Sequence, residues 1–182
     1  MEFTDLINKR QSVREYSKKE VEADKIEKCL EAARLAPSAS NSQPWKLIIV
    51  NDAELVKKVA AATFSSVVSF NKFTLQAPVL LVMVIERPRA ITQIGSFLKN
   101  REFPLIDIGI AAEHFCLQAA ELGLGTCMMG WFDEKTIKKL LGIPKNKRLG
   151  LIISLGYAPE DYPLRKKIRK EKTAVLSYNK YE

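Results

Sequence analysis

The sequence predicts an α+β fold, and three observations carry that reading. Helical and strand patterns are interspersed along the 182 residues without the regular strand–helix–strand repetition of a doubly wound sheet. The run "APVLLVMVIE" (77–86) is continuously apolar and rich in β-branched residues, as a central strand buried on both faces would be. No internal repeat or low-complexity stretch divides the chain, whose length suits one domain over residues 1–182.

The elements follow in order. Residues 4–9 begin a short helix, which the serines and basic residues of "RQSVREYS" interrupt. From Asp24 to Ala36, the residues Ile26, Cys29, Leu30, Ala33 and Ala36 recur at spacings of three and four and mark one helix face, with Pro37 as the stop. Pro44 is expected to keep Gln43 extended, and "WKLIIV" then reads as a strand. Asp52 starts a helix whose inner side carries Leu55, Val56 and Val59. After the central strand, residues 87–103 are mixed in polarity and read as a covering segment. The longest helical pattern, Pro104 to Leu122, is apolar almost all round and therefore buried. Gly123 suits its left-handed terminus. Asp133 caps "EKTIKKLLGI", which Pro144 stops, and "RLGLIISLGY" returns as a strand. In "TAVLSYNKY" alternating apolar positions are expected to add one more strand.

Composition excludes several functions. The net charge of +8 raises the question of nucleic acid, yet the basic residues crowd into "PLRKKIRKEK" (163–172) without a helix-turn-helix, zinc-finger or aromatic-basic pattern. A solvated charged segment and attraction of an anionic small ligand both account for them. No apolar run reaches the roughly 18 residues of a membrane helix, no membrane partner is expected, and the N-terminus lacks a secretory pattern, so the chain reads as cytoplasmic. The three cysteines and single histidine stand at no zinc-ligand spacing. His114 lies in an apolar helix pattern and reads as a core or interface residue. Without a second histidine or a G-x-S-x-G turn, hydrolase chemistry is not supported. "GLGTCMMG" is no dinucleotide fingerprint, since a long helix precedes it where a strand belongs.

Three polar or glycine-rich loops remain. In "KRQSVREY" an extended backbone would turn Arg10, Ser12 and Arg14 to one side, where two guanidiniums around a hydroxyl make a phosphate clamp; surface arginines at a helix end explain the same residues. Ser38, Ser40, Asn41 and Gln43 can donate and accept toward a ring bearing carbonyls and N–H groups, or simply join a helix to a strand. In "GLGTCMMGWF" the glycines admit a close backbone approach, and Met128, Met129 and Trp131 offer flat or soft contacts; a helix cap followed by a core strand is the alternative. Lys167 and Arg169, two apart in "KKIRK", could close the phosphate site.

Taken together and in this order, the motifs are specific. The chain resembles the FMN-dependent nitroreductase family: "RQSVREY" is similar to its "RRSVRxF" signature, and "APSASNSQPW", "AAELGLGTCMMGWFD" and "LIISLGY" follow, so the similarity spans residues 3 to about 179. The resemblance implies a central, mostly antiparallel sheet flanked by helices, and a homodimer whose C-terminal segment extends to the partner subunit. It implies FMN as bound cofactor at the dimer interface, NAD(P)H as co-substrate, and a nitroaromatic, quinone or similar electron-poor acceptor. By the same resemblance, Arg10, Gln11, Ser12 and Arg14 hold the phosphate and ring edge, joined by Lys167 and Arg169. Pro37, Ser38, Ala39, Ser40 and Gln43 come from the partner, Asn71 reaches the pyrimidine edge, and the backbone of Met128, Met129 and Gly130 lies near the flavin N5. No dedicated acid–base side chain and no metal are implied.

Overall fold

A computed structural model describes residues 2–88 and 101–181. Its core is a four-stranded, wholly antiparallel sheet of β1 (Trp45–Val50), β2 (Val79–Ile85), β3 (Gly125–Met129) and β4 (Arg148–Gly156) in the order β1-β2-β4-β3. β2 is central, as its apolar run predicts. Because side chains alternate across a strand, Leu80, Val82 and Val84 face one core with Cys127, Met129 and Ile152, while Val79, Leu81 and Met83 face the other with Ile153 and Leu155.

Helices cover both faces. On the first lie α3 (Ala53–Ala61) and α5 (Glu134–Leu140); on the second, α2 (Ala23–Arg34) packs against α4 (Phe103–Glu121). A short α1 (Phe3–Lys9) precedes them and buries no residue. Asp52 and Asp133 cap α3 and α5 by accepting from Leu55 N–H at 2.8 Å and Thr136 N–H at 3.1 Å. α4 ends as the sequence requires: Gly123 has φ +79°, Gly123 N–H reaches Ala120 O and Leu124 N–H reaches Ala119 O. α5 stops at Gly142 (φ +64°), two residues before Pro144. This is the α+β architecture expected. Among the described residues no helix is long and apolar enough to cross a membrane.

The predicted strand at the C-terminus does not form. Residues 157–181 hold a single 3-10 turn, Lys172–Ala174, and the apolar Val175, Leu176, Tyr178 and Tyr181 are exposed. Alternation alone cannot make a strand, because its backbone groups need a partner and this segment pairs with no edge of its own sheet.

The other terminal segment does find an edge. Residues 10–14 leave α1 in extended form and run beside β3, with Ser12 bridging Thr126 in parallel and Val13 N–H donating to Thr126 O at 2.8 Å. Val13 is buried against Gly125, where a Cβ would lie 2.7 Å from Val13 Cγ2. Overpacking here would displace the segment, so Gly125→Ala is expected to cost about 1–3 kcal/mol. Urea unfolding should show a lower midpoint at unchanged slope; an unaltered midpoint would refute the close approach.

Candidate active site

With Val13 turned inward, Ser12 and Arg14 face outward together. The chain returns to this spot after β4. Gln11 binds the returning segment at two points: its Nε2 donates to Pro163 O at 3.0 Å, and its Oε1 accepts from Arg165 N–H at 3.1 Å. Lys167 Nζ donates to Arg10 O, and Arg165 Nη2 to Ser12 O. Arg10, Gln11, Ser12 and Arg14 thus share a basic cleft of about 280 Å3 with Arg165, Lys166, Lys167 and Arg169. The two basic groups read separately in the sequence meet in space.

Arg165 escaped the sequence reading, although Arg165, Lys167 and Arg169 form an alternating series that could have flagged it. Arg10 Nε lies 3.3 Å from Glu113 Oε1. The ammonium of Lys167 is pushed below its ordinary value, first by desolvation and then by Arg10 and Arg169. Cations crowded in this way, two of them held in place by backbone carbonyls, make the cleft electropositive.

A second cleft, of about 500 Å3, adjoins the first through Arg14 and is lined by Phe70, Asn71, Cys127, Met128, Met129, Gly130 and Trp131. Burial pushes the Cys127 thiol up against the opposing pull of Arg14, so the group stays protonated at neutral pH and acts as packing. Asn71 is buried, and its Nδ2 donates to Thr63 O and Trp131 O, each at 3.1 Å. Both amide hydrogens are therefore committed within the chain. What Asn71 keeps for a ligand is Oδ1, an acceptor suited to a ring N–H.

The loop Pro37–Gln43 lines neither cleft of its own chain. Ser40 (φ +50°), Asn41 (φ +50°) and Gln43 (φ +47°) are left-handed, so Pro44 does not hold Gln43 extended as expected. Local hydrogen bonds prevail over the pre-proline preference: Gln43 N–H donates to Ser38 Oγ at 2.9 Å, and Gln43 Nε2 to Asn41 Oδ1 at 2.9 Å. Asp107, on α4, accepts from Ala39 N–H at 3.1 Å. Its sequence signal is an acid within the otherwise apolar run 103–112. His114, also on α4, places Nδ1 3.3 Å from Ala32 O and so ties α4 to α2. Of the covering segment expected at 87–103, residues 89–100 lie outside the described residues.

Comparison with known proteins accords with this geometry. The sequence model of the Nitroreductase family matches residues 7–157, and the chain belongs to that family. It is 33% identical to a putative NADH dehydrogenase/NAD(P)H nitroreductase of Archaeoglobus fulgidus, over 86% of this chain and 84% of that protein. An iodotyrosine deiodinase of Thermotoga neapolitana is 27% identical, over 97% of both chains. Among solved structures, an FMN-dependent nitroreductase from Clostridium difficile R20291 superposes with a TM-score of 0.77 at 27% identity, over 98% of this chain and 100% of that one.

Asp107 generates a pH-dependent prediction. Only 3% of the residue is exposed and Oδ2 has no hydrogen-bond partner, so burial raises its pKa above the ordinary carboxylate value. The folded state then holds this proton more tightly than the unfolded state, and stability falls as pH rises out of the ordinary carboxylate range through the raised value. Asp107→Asn, which cannot ionise, is expected to be about 1 kcal/mol more stable than the parent at pH 7.5. The gain should vanish near pH 4 in thermal unfolding; a gain equal at both pH values would contradict the buried charge.

Proposed function

We propose that the chain is an FMN-dependent NAD(P)H oxidoreductase of nitroreductase type, acting as a cytoplasmic homodimer. The observation that carries this reading is the junction of the two clefts at Arg14. A site of crowded cations beside a larger cleft lined by methionine and aromatic side chains suits a ligand with a dianionic phosphate at one end and a flat ring at the other. Bound FMN would supply a hydride relay, with NAD(P)H and an electron-poor aromatic or quinone taking turns at its N5.

The chain's own residues bind, orient and shield. Arg10, Gln11, Ser12, Arg14, Lys167 and Arg169, now with Arg165, hold the phosphate; the backbone of Met128, Met129 and Gly130 lies along the ring; Asn71 Oδ1 accepts from its pyrimidine N–H. The loop of Pro37, Ser38, Ala39, Ser40 and Gln43 serves the partner's site, a reading supported by its lining neither cleft of its own chain. Exposed Ile168, Leu176 and Tyr178 on the C-terminal segment, and Phe3 and Ile106 elsewhere, supply apolar surface for a subunit contact. The cysteines are all free and buried, with Cys29 and Cys116 pushed up to about 12 by burial, which suits a reducing compartment.

The purified protein should show flavin absorption that bleaches on anaerobic addition of NADH or NADPH. A colourless protein that added FMN does not restore would end this reading. Arg14→Ala is expected to weaken FMN retention by about 1.5–3 kcal/mol with the fold intact, and an unchanged affinity would remove Arg14 from the clamp. Sedimentation should report a dimer. The likeness to an iodotyrosine deiodinase favours a second reading, reductive dehalogenation at the same cleft; iodide release from iodotyrosine by the reduced protein, without nitroaromatic turnover, would select it.

A further inference from the structure

The 500 Å3 cleft holds one feature that cofactor binding does not account for. Trp131 is 55% exposed and Phe70 is 64% exposed on the same lining, although burial of either ring would be favourable. The exposure of Trp131 is imposed by the backbone. Its carbonyl accepts from the buried amide of Asn71 at 3.1 Å, and two residues on, Asp133 N–H donates to Ala62 O at 2.7 Å. Between these anchors Phe132 packs against the core. With its carbonyl held and the next residue turned inward, Trp131 keeps its own side chain outside.

Asn71 is itself held firmly. Its Nδ2 also donates to Thr63 O, while Thr63 and Thr74 hydroxyls bond each other at 2.9 Å and Thr74 Oγ1 donates to Asn71 O at 2.8 Å. Thr63 and Thr74 are fully buried. This polar knot fixes the backbone of Trp131 and, through its sequence neighbour Asn71, that of Phe70. The indole is thus displayed at the cleft on a rigid support.

We infer that Trp131 is the platform on which the electron acceptor stacks, and that it selects flat, electron-poor aromatic rings; the inference rests on the flavin reading above. Indole has the most electron-rich face among the side chains, so it is complementary to a ring depleted by nitro or carbonyl groups. Arg14 is the only charged side chain on the described lining, and no carboxylate stands there to favour a cationic substrate. A compact, non-planar oxidant such as ferricyanide has no face to lay against the indole.

The test uses the full chain loaded with FMN. Without NAD(P)H, 1,4-dinitrobenzene is redox-inert toward the oxidised protein, and its binding can be followed by perturbation of the flavin band. Trp131→Ala should raise its dissociation constant about tenfold, equivalent to about 1.4 kcal/mol, and Trp131→Phe should restore most of the loss. In turnover the loss should fall on KM for dinitrobenzene, and the ratio of its kcat/KM to that of ferricyanide should drop about tenfold. Wild-type affinity in Trp131→Ala, or equal losses with both oxidants, overturns the platform. A wild-type protein that takes up no flavin overturns the flavin reading instead. In that event dinitrobenzene quenching of Trp131 emission, measured in a Trp45→Phe chain, decides the platform: quenching stronger than that of free tryptophan supports it, and quenching no stronger overturns it.

Discussion

The close approach of Val13 to Gly125 is the contact on which the candidate site depends. β3 is an edge strand, and its outer side is covered by residues 10–14, which bond to Thr126 through Val13 N–H. An uncovered edge would be open to other strands; here the cover also carries Arg10, Ser12 and Arg14. A side chain at position 125 would meet Val13 at its Cβ and both methyls. One glycine therefore sets how near Arg10, Ser12 and Arg14 stand to Met128, Met129 and Gly130 on the same strand and the turn after it.

Charge is organised around that contact. The returning segment brings Arg165, Lys167 and Arg169 against Arg10 and Arg14, with two of these cations anchored on the carbonyls of Ser12 and Arg10. Such anchoring orients the cations without neutralising them. The ammonium of Lys167 is depressed first by desolvation and then by Arg10 and Arg169, and a bound dianion would oppose both. At the other end of the polar loop, Asp107 is the one buried carboxylate among the described residues. It tethers Ala39 through Oδ1 while Oδ2 has no partner. The loop is accordingly fastened to α4, the most apolar helix, and lines neither cleft of its own chain.

Much of this was legible in the residue order. Caps at Asp52 and Asp133, the left-handed stop at Gly123 and the central placement of β2 follow from local rules and apolar runs that tertiary packing reinforces. Other features were not. Gln43 turns left-handed because Ser38 Oγ and Asn41 Oδ1 lie within reach of it, which a pre-proline preference does not reveal. Asn71 spends both amide hydrogens on carbonyls of Thr63 and Trp131, the latter sixty positions away. Arg165 joins the basic cleft through contacts that span more than 150 positions.

By itself the sequence determined the α+β class, the order of the elements, the four motifs that mark the family and most of the residues gathered at the clefts. Those depend on periodicity and on short-range stereochemistry, both of which are written in neighbouring residues. Only the tertiary structure decided which way each side chain spends its hydrogen bonds, how the two basic segments meet, and that the alternating C-terminal stretch pairs with no edge of its own sheet. The physical reason is common to all three: a donor, a cation or a strand acquires its role from the partner it meets, and that partner is brought by the fold from far along the chain.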